Sequence, residues 1–314
     1  MAITRDDVLA AQATIGGRLH RTPVFSSATL SRLVGADVHL KGELFQRTGS
    51  FKTRGVLNKL SSLSAEERGR GVIGASAGNH AQALAYGAAL EGLDCLMVMW
   101  RTASELKIAA TRGYGASVDL EAEGPEVVFD RLHQLLAETG RTLVHPFDDP
   151  LVAAGQGTLA LEIEEDVSDL DTIVVPVGGG GLLTGVIAGF EGRVVAVEPE
   201  RSRALHAGLA AGEPVNVAPE SVADGLNAPF AGALVLEACR RRSIETVLVT
   251  EEEIADGMRF LYGRAKLACE PAGAAATAAL LAGKVRVSSG EVVAAIVSGG
   301  NVGGDTAAGI LASR

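Results

Sequence analysis

The sequence is poor in several things, and each shortage removes a class of protein. Cysteine occurs three times, at Cys95, Cys239 and Cys269, with wide spacing and no CxxC pair. Neither a disulfide framework nor a zinc site is indicated, and the spacing fits reduced thiols in a cytoplasmic protein. Basic residues are outnumbered, 28 against 38 acidic, for a formal net charge of -10. Such a field repels phosphate backbones, so nucleic acid is not an expected partner. No long apolar run exists: the most apolar stretch, Ala272 to Gly283, is too short and alanine-rich to span a membrane. The N-terminal Met1-Ala2-Ile3-Thr4-Arg5-Asp6-Asp7 is charged at once and lacks a signal core.

What is abundant is small and apolar. Hydrophobic residues are 47% of the chain, and 39 of its 314 residues are glycine. That much apolar surface can offset the ordering entropy, so disorder is not expected. Thr4 and Asp7 form a capping-box pattern before a helix that ends at Gly16-Gly17. Ala36 to Leu44 reads as a strand and the residues after Phe51 as a helix to about Leu63. Then short apolar strands alternate with helices. Gly71–Ser76, Asp94–Trp100, Ser117–Leu120 and Thr142–His145 are the first set of strands. Helices over Asn79–Glu91, Ala103–Arg112 and Glu126–Glu138 separate them. A seam near 148 to 152 opens a second series. Its strands are Thr172–Val177, Val194–Val197, Thr246–Val249 and Val292–Val297, with a helix over Pro271–Leu281 before the last. This alternation predicts an α/β fold with parallel sheets and helices on their faces. Ligands of such sheets bind beyond the carboxyl ends of strands.

Unusual residues cluster at those ends. Gly178-Gly179-Gly180-Gly181 follows a buried strand and precedes a helix. Backbone amides at such a turn suit a phosphate. A P-loop needs Lys then Ser or Thr, whereas Leu182-Leu183 stand there. The dinucleotide fingerprint lacks its third glycine, although Glu198 stands about 20 residues on, where a ribose-binding acid would be. A nicotinamide oxidoreductase therefore stays open as an alternative. Ser76-Ala77-Gly78-Asn79-His80 is a second strand-to-helix turn, suited to a carboxylate, and equally to a plain N-cap by Asn79. Ser298-Gly299-Gly300-Asn301 is a third. Gly49-Ser50-Phe51-Lys52-Thr53-Arg54-Gly55 places a lysine at a helix start. Alone, Lys52 fits a solvated charge. With a phosphate cup and a carboxylate turn it fits the amine that pyridoxal phosphate requires for its aldehyde.

As a set the motifs resemble the fold-type II pyridoxal-phosphate enzymes of the serine/threonine dehydratase and serine racemase family. The matching stretches are GSFKTRG at 49–55, SAGNHAQALA at 76–85, HPFDDP at 145–150, AGQGT at 154–158, VPVGGGGLL at 175–183, EPAG at 270–273 and SGGN at 298–301. The resemblance implies two open, mostly parallel twisted sheets flanked by helices, as in tryptophan synthase β. It implies a large cofactor-binding domain (1–68 and 149–314), a small domain (69–148) and a homodimer. Lys52 would hold the cofactor as a Schiff base and act as the base at Cα. Phe51 would pack on the ring, Asn79 bond its hydroxyl, and Ser298 face its nitrogen. Gly178, Gly179, Gly180, Gly181 and Leu182 would bind the phosphate, with Glu270 also at the cofactor. Ser76, Ala77, Gly78, Asn79 and His80 would hold the substrate carboxylate.

Two departures narrow the activity. Racemases of this family carry a second serine where this chain has Ala77, and a methyl group cannot move a proton. Racemisation needs acid/base groups on both faces of Cα, so one-sided elimination is favoured. Family members that bind a structural cation use an acid at the Glu198 position and another six residues later. Here the second is Ala204. One carboxylate is a poor site for a hard divalent ion, so no metal is assigned. With Arg314 as the last residue, the regulatory domain of biosynthetic threonine dehydratases is not expected. The expected reaction is loss of water from L-threonine or L-serine, giving a 2-oxo acid and ammonia. Rival expectations are serine racemisation and dehydration of another β-hydroxy amino acid such as a 3-hydroxyaspartate. A β-replacement synthase fits less well, because Asn79-His80-Ala81 stands where those enzymes have Asn-Thr-Gly. A non-catalytic sensor would have no use for the full set of cofactor contacts.

Overall fold

The computed structural model describes residues 2–124 and 127–313. Its strands are β1 (Val24–Ser26), β2 (Asp37–Gly42), β3 (Val72–Ala75), β4 (Cys95–Trp100), β5 (Ser117–Ala122), β6 (Thr142–Leu143), β7 (Thr172–Pro176), β8 (Arg193–Pro199), β9 (Glu245–Val249) and β10 (Val292–Val297). They form two sheets. One has six strands in the order β1-β2-β10-β7-β8-β9; the other has four, in the order β5-β4-β3-β6. Only β1 runs antiparallel, against β2. Every other pairing is parallel.

The local sequence accounts for this. The strands β3 and β7 are apolar along nearly their whole length and buried throughout, as strands covered on both faces must be. The expected capping box of Thr4 and Asp7 starts the helix Arg5–Ile15. Thr250 and Glu253 form another before Glu251–Phe260, with three glutamates in its first turn. The helix Pro271–Leu281 is nearly all alanine and leucine and is buried on every side, which small side chains permit. It packs with β7, β8 and β10 in a continuous apolar cluster.

The structure adds elements that the pattern did not predict: β1, and the helices Ala28–Val34, Ala65–Arg70 and Gly304–Ala312. The expected helix start at Glu126 lies outside the described residues, and that helix runs Val128–Thr139. Among the described residues no helix is long and apolar enough to cross a membrane.

Candidate active site

Four chain segments meet beyond the carboxyl ends of strands from both sheets. The carboxyl end of β10 supplies Ser298 and Gly299, whose backbones pair with Phe51 and Ser50. Lys52 follows at the first turn of the helix Lys52–Ser61. Its amine donates to the Pro146 carbonyl at 2.7 Å, just beyond β6 of the other sheet. It lies 5.3 Å from the centre of the Phe51 ring. No carboxylate pairs with it among the described residues. Protein surrounds the amine on most sides, and this desolvation lowers its pKa to about 8. Gln156 braces the same turn, accepting from Gly55 N–H at 3.2 Å. Lys52 is thus half-buried, with its amine against a carbonyl and an aromatic ring rather than a carboxylate.

The glycine turn follows β7. Among the described residues the backbone N–H groups of Gly178, Gly179, Gly180 and Gly181 have no acceptor, and the helix Gly181–Gly189 begins there. Such a row of free amides at a helix start fits the phosphate group. Why four glycines are needed is visible only in three dimensions. A Cβ at Gly179 would lie 2.3 Å from the Phe147 ring, and one at Gly180, whose φ is +99°, would meet Val235. At Gly178 it would press on the Leu226 backbone at 3.1 Å, and at Gly181 on Phe147 at 2.9 Å. The Leu182 side chain lies in the apolar core, so only its backbone remains for a ligand. His145, Phe147, Phe129 and Phe230 form an aromatic wall behind the turn. Asp148 fastens this wall by capping the helix Ala233–Arg242, accepting from Ala233 N at 3.2 Å and Leu234 N at 3.0 Å.

The turn after β3 leads into the helix Asn79–Glu91. Ser76 Oγ accepts from Gly78 N–H at 3.1 Å. Among the described residues the N–H groups of Asn79, His80 and Ala81 have no acceptor, and they could receive a carboxylate. Ala77 is buried within the apolar cluster that holds Ala81 and Leu84. The His80 ring turns away, its Nε2 lying 2.9 Å from the Val144 carbonyl. Burial first, then the Lys52 charge, lowers its pKa to about 3, so it is neutral and uncharged toward a substrate. Only its main chain faces the turn.

Asn79 Nδ2 donates to Glu270 Oε1 at 2.6 Å, and Asn79 Oδ1 accepts from Asn301 Nδ2 at 2.7 Å. Glu270 is buried. Burial, with the Asp224 charge second, raises its pKa to about 7. Ser298 is buried, and its Oγ lies 3.5 Å from the Ala272 carbonyl, too far for a strong bond. Its hydroxyl is therefore available to a ligand. Sequence reading gave no role to Asn301 or to the Pro146 carbonyl. Their signal was present in the SGGN and HPFDDP stretches, but a backbone oxygen leaves no trace in side-chain chemistry.

Glu198 lies apart. Its Oε1 accepts from Leu205 N at 2.7 Å and its Oε2 from His206 N at 2.9 Å, at the start of the helix Ala204–Ala211. Both oxygens are thus engaged in capping a helix. Burial raises its pKa to about 7 against the pull of those two bonds. Among the described residues no group of three His, Cys, Asp or Glu side chains could hold a metal ion.

A parallel α/β scaffold with an amine that no carboxylate pairs, a row of free amides and a carboxylate-sized helix start defines a cofactor-dependent enzyme. Comparison with known proteins agrees. Residues 16–299 match the family described as pyridoxal-phosphate dependent enzyme, and the chain belongs to that family. It is 43% identical over 306 residues to the L-threonine ammonia-lyase of Thermotoga maritima, covering 96% of this chain and 76% of that one. The solved maize serine racemase superposes with a TM-score of 0.92 at 35% identity, covering 98% of this chain and 96% of that one. The solved serine racemase of Dictyostelium discoideum gives a TM-score of 0.89 at 36% identity, covering 96% and 99%.

Proposed function

We propose that this chain is a pyridoxal-phosphate-dependent ammonia-lyase that removes water from L-threonine or L-serine, releasing a 2-oxo acid and ammonia. The observation that carries the reading is the Lys52 amine, unpaired with any carboxylate and shifted to about 8 by burial. Bound pyridoxal phosphate would supply an electron sink that acidifies the Cα–H of an amino acid. Lys52 is the amine that would carry it and, once displaced by the substrate amine, would accept the Cα proton as a neutral base. Gly178 to Gly181 would hold the phosphate through their free amides. Asn79 and Ser298 would meet the ring oxygen and nitrogen, and Phe51 would pack on the ring. The free amides of Asn79 and His80 at the turn Ser76 to His80 would hold the substrate carboxylate. The names of the threonine-acting relatives support this choice of substrate.

Serine racemisation is a second reading, favoured by the likeness to the maize enzyme. Ala77 weighs against it, since no proton-moving side chain stands at that position. Ammonia release across β-hydroxy amino acids of both configurations, with chiral analysis, separates the two. The proposal expects 2-oxo acid and ammonia from the L-amino acids; D-serine accumulating faster than pyruvate would overturn it.

Residues 1–68 with 149–314 and residues 69–148 are proposed as the large and small domains, on the division of strands between the sheets. A cytoplasmic homodimer is carried over from the family likeness. A structural cation forms no part of the proposal, because Glu198 already serves as a helix cap.

A further inference from the structure

Asn79 belongs to a short hydrogen-bonded chain whose two ends can only accept. At one end, Asn301 Nδ2 donates to the Thr48 carbonyl at 2.7 Å. Its second hydrogen goes to Asn79 Oδ1, also at 2.7 Å. At the other end, Asn79 Nδ2 donates to Glu270 Oε1 at 2.6 Å. A backbone carbonyl and an ionised carboxylate have no proton to give, so both amides can take one orientation only. Asn79 Oδ1 and one Nδ2 hydrogen are then committed, and the second hydrogen of Nδ2 is left to offer. The room for this arrangement is built in. A Cβ at Gly299 would lie 2.5 Å from Glu270 Oε1, and one at Gly225 would lie 3.5 Å from it.

Resting on the cofactor reading above, we infer that Glu270 and Asn301 are positioning residues which lock Asn79 so that it offers an N–H, never its carbonyl, to the ring oxygen of pyridoxal phosphate. A fixed donor there favours the anionic form of that oxygen, as a charge-assisted bond does. Glu270 is the weak point of the lock, because a protonated carboxyl could donate as well as accept. The groups facing it are Asp224 from the 224–226 turn, Lys107 from the helix Glu105–Gly113, Asn79 from its own helix, and the Asn301 N–H. Cys269 precedes it, with its thiol pushed up to about 12 by burial and by Glu270 itself. With burial raising its pKa to about 7, the lock is complete above that pH and loosens below it.

The test is the absorption spectrum of the reconstituted holoenzyme between pH 6 and 9, without substrate. The anionic ring oxygen absorbs in the visible and the neutral form in the near ultraviolet. In the parent, the visible share should rise through about pH 7. Glu270→Leu, which removes the acceptor altogether, should lower the visible-to-ultraviolet ratio by about tenfold, the worth of one charge-assisted bond, and remove its pH dependence near 7. Asn301→Ala should shift the ratio the same way by less, and provides the readout if the first variant fails to fold. A Glu270→Leu spectrum with the parent's ratio and midpoint would overturn the lock while leaving the cofactor reading intact. A parent that binds no cofactor overturns both.

Discussion

Two cations, the half-buried Lys52 and the buried Arg54, sit two residues apart on one helix, and the protein treats them in opposite ways. Arg54 is enclosed with Glu43, Glu162 and Lys41. Its guanidinium donates to Glu43 at 2.8 Å through Nε and Nη2, and to Glu162 at 2.7 and 2.8 Å through Nη1 and Nη2. Lys41 donates to Glu162 at 2.6 Å and to the Thr22 carbonyl at 2.8 Å. Burial alone would lower the Arg54 pKa, but the two carboxylates more than offset it and hold the charge firmly. Lys52 has only a carbonyl and an aromatic ring. Burial acts on it without opposition and brings it toward the neutral amine. The cluster fastens the helix to β2 and to the helix Pro150–Asp166, and it does so two residues from the group that must stay chemically free. A charge with carboxylate partners serves as an anchor, and one without them is, in the proposed reading, free to act as a nucleophile or base.

The sharpest way to break this contrast is to remove each cation in turn. Lys52→Ala should reduce turnover by about a thousandfold or more and abolish the visible cofactor band, read by ammonia release and absorption. Arg54→Met should leave two buried carboxylates with one cation between them and lower stability by about 3–5 kcal/mol, read in a denaturant melt. Lys52→Met in the cofactor-free protein should do the reverse, raising stability by about 2 kcal/mol at pH 7, because an unpaired desolvated amine is lost. Equal losses from the two methionine variants would erase the distinction.

Proton linkage sharpens it further. With Lys52 lowered from 10.5 to about 8, the unfolded chain binds more protons between those values, so stability should rise with pH across that window. Cofactor capture should accelerate with pH to a midpoint near 8, since roughly one amine in ten is neutral at pH 7. Glu198 gives the smallest effect and the opposite slope. Its pKa rises from 4.5 to about 7 on folding, so its contribution is present below the lower value and lost as pH climbs through the higher. Glu198→Gln should flatten that slope, while weakening the cap by about 1 kcal/mol.

Much of this was legible in the chain, for identifiable reasons. Apolar strands such as Thr172 to Val177 carry their burial in their own composition, and the free amides at 178–181 follow from where the glycines fall. The steric demand on those glycines was not legible, because Phe147, Leu226 and Val235 lie roughly 30 to 55 residues away. The strand Val24–Ser26 is too short to show alternation, and it forms only because β2 lies beside it. Arg54 reads as one more basic residue on a helix until the fold brings Glu43 and Glu162 around it. His80 lies in a matched stretch, yet its ring is taken up by the Val144 carbonyl. Motif position shows that a residue is near the site; which of its atoms faces the site is decided by packing.

The most direct measurement is borohydride reduction of the reconstituted enzyme, followed by peptide mass mapping, which fixes the cofactor on the lysine that carries it. The account predicts one modified residue, Lys52, with the lysines at 41, 59 and 107 unlabelled. Cofactor mass on any other lysine, with Lys52 unmodified, would contradict it.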